Sequence, residues 1–331
     1  MKKIIVLMGV MSLLFALSVN AETKKTIIKI SNGLNTQHPT YLGCVEFKRI
    51  VEQKLGDKYV VQVYSDAQLG DDVRATEAVR MGTLEMVATS ASPLTGLVPE
   101  FNVFDLPFII TSTKAADAIF DGPVGAKLAK LLESKGFILL AYYENGFRDV
   151  TNSVRAIKSP ADLKGLKIRT MQNPIHLAAW RALGANPTPM PFSEVFTGMQ
   201  QNVIDGQENP IPTIYLSRYY EVQKYVTLTN HVYGPHILLI NKKLFESFPP
   251  NDQKIMREAA LASAKYQRSL NRKLATDDIA ELKKSGMIVT ELSPKELAEF
   301  KKATLPVYTE WEPKIGKALV EEFQAAARSA K

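Results

Sequence analysis

Two arginines and an asparagine are the groups in this chain best suited to chemistry. Arg169 sits in the strand-like segment Lys167-Ile168-Arg169-Thr170, Arg148 follows Asn145-Gly146-Phe147, and Asn209 lies between Glu208 and Pro210. A guanidinium presents a planar fork of donors that matches a carboxylate bidentately and stays charged at any relevant pH. The proline after Asn209 pushes that residue towards extended backbone, so its amide is held where it can donate to a carboxylate or hydroxyl. Phe192, in the proline-rich run from Pro187, is suited either to stack on a ligand or to fill a core. Plain structural readings stand beside these: an arginine neutralised by a nearby acid (Asp149 adjoins Arg148), a turn asparagine, a core ring. Asp72 has the reach to meet a ligand hydroxyl, but it also fits the first turn of a helix, where the dipole favours an acid, and that role is preferred.

No catalytic constellation accompanies these groups. His38, His176, His231 and His236 show no metal-ligand spacing, and the sequence contains no H-E-x-x-H, G-x-S-x-G, G-x-G-x-x-G or phosphate-loop pattern. His236, at the start of a strand, is the one candidate for a general base. Donors without an acid/base dyad, metal cluster or nucleophile favour holding an anion over transforming one. The net charge of +7 is spread along the chain with no basic stripe carrying interleaved aromatics, which argues against nucleic acid.

The elements that must position these residues alternate between short apolar runs and amphipathic helical patterns, the mark of α/β architecture. Strands are expected at Thr26–Ser31, Tyr59–Tyr64, Leu84–Ala88, Phe137–Tyr142, Leu166–Thr170 and His236–Asn241. Helices are expected from Pro39 to Leu55 and from the turn at Leu69–Asp72 to Gly82. From Asn251 to Ser285 the pattern is almost unbroken helix, about 50 Å long at 1.5 Å per residue, enough to connect two lobes. A chain of 331 residues with 46% hydrophobic content exceeds one core and supports two domains.

The N-terminus carries Lys2 and Lys3, an apolar run from Ile4 to Val19, and small residues up to Ala21. This is the layout of a secretory signal, with residues 1–21 removed by cleavage after Ala21 and the mature protein in the periplasm. Cys44 is the only cysteine, so no intrachain disulfide can form, and its place in a helical pattern makes it a small buried hydrophobe.

Eight segments in one order (HPTYLGCVEF, SDAQLGDD, VRMGTLEM, VPEFNVFDLPFI, GFRDVTN, PADLKGLKIRT, LGANPTPMPFSEVFTG and VIDGQENP) resemble the substrate-binding subunit of the tripartite ATP-independent periplasmic (TRAP) transporters, of the dicarboxylate-binding-protein type. YYENGFRDVTNS and GANPTPMPFSEVFTG resemble the 2,3-diketogulonate-binding branch, which favours a sugar acid over a C4-dicarboxylate. The resemblance implies a two-lobed α/β periplasmic binding protein with a hinge, a ligand cleft between the lobes and a long helix spanning both. Lobe I would hold residues 22–145 with 235–274, and lobe II residues 146–234 with 275–331.

By the same resemblance Arg169 clamps the substrate carboxylate, joined by Arg148, Asn209 and Phe192. In lobe I, Thr89 and Ser90 are expected to touch ligand, with Gln68, Asp72 and Tyr233 behind them. Sialic-acid binders carry a glutamate after the third strand, where this chain has Thr89-Ser90-Ala91-Ser92, so sialic acid is disfavoured. Implied partners are a small-molecule carboxylate and the small and large integral membrane subunits of a transporter, with no cofactor and no metal. The family is mostly monomeric, and a monomer is expected. Two other readings remain open at this point: a periplasmic lyase or epimerase using the same anion clamp with His236 as base, and a ligand-presenting sensor.

Overall fold

The computed structural model describes residues 25–329; the signal segment expected at 1–21, with cleavage after Ala21, lies outside the described residues. Among the described residues nine strands form one mixed sheet: β1 (Thr26–Ser31), β2 (Tyr59–Tyr64), β3 (Met86–Ser90), β4 (Phe137–Asn152), β5 (Lys167–Thr170), β6 (Asn186–Pro189), β7 (Gly206–Pro210), β8 (Tyr225–Asn241) and β9 (Ile288–Glu291). Their order is β2-β1-β3-β8-β4-β7-β5-β6, with β9 beside β8. Strands β4 and β8 are 16 and 17 residues long and pair antiparallel along their whole length, running through both halves of the molecule. β3 flanks one end of β8 and β9 the other.

Apolar alternation explains the first half. Ile28 and Ile30 of β1, Val61 of β2, and Leu238 and Ile240 of β8 bury against Cys44, Phe47 and Val51 of the helix Pro39–Leu55. On the other face of the sheet, Val87, Leu239 and Ile237 pack with Phe101, Phe104 and Phe120. The second half has two smaller cores, one around Ile168 and Trp180 and one around Val195, Ile214 and Tyr219. The long helix is Pro250–Lys284 and joins them: Met256, Ala259, Ala260 and Ala264 enter a first-half core, and Leu282 a second-half core.

Strands β6, β7 and β9 have no counterpart among the sequence expectations, and other features also depart from them. β3 begins at Met86 rather than Leu84, because Gly82 adopts φ 80° as a left-handed cap and Thr83 and Leu84 still donate to Ala78 O. Thr89 and Ser90 therefore end the strand instead of following it. The last helix, Lys317–Ser329, falls in the span expected for lobe II but packs Leu319, Val320 and Phe323 onto the first-half core. Phe323 meets Phe104 edge-on at 5.3 Å. Finally, β4 and β8 extend well past their apolar runs, because their polar halves are buried by side-chain networks rather than by alternation.

Candidate ligand-binding site

A small cavity lies where the two halves meet. Its walls are Gly33 and Leu34 after β1, Asp72, Ala88–Ser90 at the end of β3, and His236 of β8. Facing them are Arg169 and Met171 at the end of β5, Phe192, Asn209 of β7 and Thr213, with Asn145 and Arg148 of β4 between. Seven residues singled out from sequence thus converge: Arg169, Arg148, Asn209, Phe192, Thr89, Ser90 and Asp72. Gln68 stays exposed on the turn after β2, outside the lining. Tyr233 lies three residues before the cavity-facing His236, so the two-residue period of a strand turns it to the opposite face, against Phe147 at 4.6 Å. Asn145, Met171, Thr213 and the Gly33–Leu34 turn are lining residues that sequence reasoning did not reach; local pattern carries no signal for them.

Arg169 is 3% exposed and forms no ion pair among the described residues. Nε and Nη2 donate to Met190 O at 2.9 and 2.7 Å, which orients the fork and leaves Nη1 without a partner among the described residues. Burial lowers its pKa to about 10, so the group stays charged at neutral pH and its charge is unmatched by a carboxylate at hydrogen-bonding distance. The arrangement is stable only at a cost that an incoming anion relieves.

Arg148 is neutralised, but not by Asp149. Adjacent residues on a strand point apart, and the Asp149 carboxylate accepts from Asn230 N at 2.9 Å. Glu208 instead binds Arg148 through both carboxylate oxygens, one to Nε and one to Nη2 at 2.9 Å. Nη2 also donates to Asn209 Oδ1 at 3.1 Å, while Nη1 is buried without a partner among the described residues. β4 shifts register between Glu144 and Gly146 and again between Arg148 and Val150, with Gly146 at φ 112°. Such bulges re-aim side chains, and here they bring Arg148 to the cavity wall. Asn209 Nδ2 donates to Gln207 Oε1 at 2.5 Å, keeping its second N–H for a ligand.

Glu208 anchors a deeper network. Its burial alone would raise its pKa, but Arg148, His176 and His231 outweigh that and hold it well below the usual carboxylate range. His176 Nε2 meets Asp105 Oδ1 at 2.9 Å, and its Nδ1 lies 3.7 Å from Glu208. Burial would lower His176, yet the two carboxylates raise it from 6.5 to about 9. The folded protein therefore keeps a proton on His176 that the unfolded chain releases near pH 6.5. This contribution is complete below pH 6.5 and is lost as pH rises through about 9. Urea melts across that window are expected to show declining stability, and His176→Gln should flatten the decline.

On the first-half wall, the cap of the helix Asp72–Met81 is Asp71, whose carboxylate accepts from Val73 N and Arg74 N. Asp72 stands in the first turn of that helix, as preferred on sequence, although the side-chain cap itself is Asp71, and it also lines the cavity. Thr89 Oγ1 is buried without a hydrogen bond of normal geometry, and Ser90 Oγ reaches Met171 Sδ across the cleft at 3.4 Å. His38 accepts from Thr40 N through Nδ1 at 3.1 Å, and burial lowers its pKa to about 3. The neutral ring must then carry its proton on Nε2, which donates to Thr213 Oγ1 at 3.1 Å. Asn35 Nδ2 adds a bond to Leu216 O at 2.8 Å, so the halves are joined across the rim. His236 Nδ1 pairs with Thr40 Oγ1 at 2.7 Å, and burial holds its pKa well below 6.5. It is not poised to take a proton near neutrality, which removes the one candidate base.

Residues 30–314 match the family of bacterial extracellular solute-binding proteins, family 7. A solute-binding protein of Verminephrobacter eiseniae is 42% identical over 299 residues, covering 90% of this chain and 88% of that protein. The 2,3-diketo-L-gulonate-binding periplasmic protein of Escherichia coli is 38% identical over 260 residues, covering 78% of this chain and 79% of its own. Among solved structures, the sugar acid binding protein of Advenella mimigardefordensis in complex with galactonate superposes with a TM-score of 0.91 at 38% identity, covering 93% of this chain and 100% of that one.

Proposed function

The chain belongs to the family 7 bacterial extracellular solute-binding proteins, the binding subunits of TRAP transporters, and we propose that its cleft captures a sugar acid such as a uronate, aldonate or diketogulonate-like acid and delivers it to membrane permease subunits. As a member of that family it is a binding protein, not an enzyme. The observation that carries the substrate reading is Arg169, a buried cation with no ion pair among the described residues and a free Nη1 at the cavity between the halves. Arg148, whose Nη1 is buried without a partner among the described residues, and Asn209 line the same cavity, so they can add donors to a carboxylate held by Arg169. Thr89 and Ser90 supply hydroxyls from the opposite wall, suited to the oxygen-rich remainder of a sugar acid. The likeness to a galactonate complex and to a 2,3-diketo-L-gulonate binder supports that class.

In this reading the two halves are lobes that close on the ligand, with β4, β8 and the long helix as the connection. Closure removes water and strengthens the ion pair. The protein acts in the periplasm after loss of residues 1–21, and no helix among the described residues is long and apolar enough to cross a membrane. The membrane subunits supply the ion-gradient energy.

Thermal shifts of residues 22–331 against four- to nine-carbon organic acids test the reading. A ligand at 100 times its Kd adds about 2.7 kcal/mol, a rise of several degrees for a protein of this size. A sugar acid that stabilises wild type but not Arg169→Ala supports both class and clamp. A folded protein with a flat response to the panel refutes the assignment, and preference for C4-dicarboxylates would replace the sugar acid.

A further inference from the structure

The charges around the cavity can be counted. Arg148 is matched by Glu208, and His176 by Asp105, while His231 and His236 are kept neutral by burial. Arg169 is then the cation left without a carboxylate partner among the described residues, and Asp72 is the one acid in the lining. The Asp72 carboxylate forms no ion pair and no hydrogen bond of normal geometry among the described residues, with the Thr89 hydroxyl as a nearby polar group that favours its charged form. Gly33 leaves room for it: a Cβ there would lie 3.1 Å from Asp72 Oδ1. Arg169 and Asp72 stand on opposite lobes and both also wall an adjoining small cavity. The site therefore offers a cationic end and an anionic end to one ligand.

We propose that Asp72 determines charge selectivity, admitting a singly charged hydroxy acid whose carboxylate takes Arg169 and whose hydroxyls donate to Asp72, and rejecting acids with a second carboxylate. The inference rests on the organic-acid reading above and refines it. A hydroxyl donates to Asp72 and completes its unmet acceptors, whereas a second carboxylate can only repel it. Burial raises the Asp72 pKa to about 6, while Thr89 and Arg169 pull it back and Asp71 pushes it up, so it is an anion at pH 7.5.

The test uses two ligand pairs that differ only in the terminal group, threonate against tartrate and galactonate against galactarate, by calorimetry at pH 7.5. In whichever pair binds, wild type is expected to prefer the monoacid by about 100-fold or more. Asp72→Asn should cut that preference to below about tenfold by gaining the diacid. Asp72→Ser provides a second, smaller neutral side chain if the amide variant folds poorly. A wild type that binds both members of a pair equally, or a preference that survives in both variants, overturns the assignment while leaving the organic-acid reading intact. Binding of no member of either pair by folded protein, with a flat thermal-shift panel, overturns that reading and this inference with it.

Discussion

Arg169→Ala is expected to weaken ligand binding by about 2–5 kcal/mol, roughly 30-fold or more. The substitution removes the one lining cation that lacks a carboxylate and leaves the ligand anion in a desolvated cleft beside Asp72. Arg169→Lys is also not conservative. The arginine fork spends Nε and Nη2 on Met190 O and still has Nη1 to offer. An ammonium has donors enough but no fork, and cannot hold that carbonyl and a ligand in the same geometry. A loss of at least tenfold, about 1.4 kcal/mol, is expected for the lysine variant. Calorimetry with the best ligand from the thermal panel checks both, and unchanged affinity in the lysine variant would sink the clamp.

The largest effect on stability is expected at Glu208. Glu208→Ala leaves Arg148 buried without a counter-charge and takes from His176 and His231 a carboxylate they both approach. Breaking a buried pair by deleting one partner costs about 3–5 kcal/mol, a fall in Tm on the order of 10 °C. Glu208→Gln should recover part of this, because the amide oxygen still accepts from Arg148. A Glu208→Ala protein with wild-type Tm would show that the network contributes nothing net. Since Glu208 leaves only Arg148 Nη1 unengaged, its loss should also weaken ligand binding, measured below the lowered Tm.

Residue type and position made Arg169, at the end of a strand, and Asn209, before a proline, eligible as donors, but plain structural readings stood beside them, and it was the family resemblance that brought them forward as ligand contacts. Glu208 was not legible, although it is next to Asn209. Its role depends on β4 pairing with β7 at Val150 and Glu208, a contact between segments about sixty residues apart that no local pattern encodes. β7 itself, Gly-Gln-Glu-Asn-Pro, is buried at every position yet has no apolar residue before its proline, so a hydrophobic pattern cannot find it. β6 is half proline and survives as a strand only because it is the sheet edge beyond β5. Asp71 and Asp72 both look like helix-start acids, and only the backbone decides which one caps. The reassignment of the last helix follows from Phe323 reaching Phe104, again a distant pairing.

The bulges in β4 have a mechanical meaning. β4 and β8 carry the sheet from one half to the other, and their ladder is broken around Arg148, opposite Asn230 with its φ of 45°. A long pair of strands bends most easily where its hydrogen bonds are already interrupted. Arg148 therefore sits at the fulcrum, while the bonds of Asn35 to Leu216 and His38 to Thr213 lie out on the lever arms. A load placed at a fulcrum moves little when the arms swing. In the proposed reading, an anion resting against Arg148 keeps its footing as the lobes part, so release is expected to begin at the far end of the ligand, near Asp72, Thr89 and Ser90, with the carboxylate leaving last.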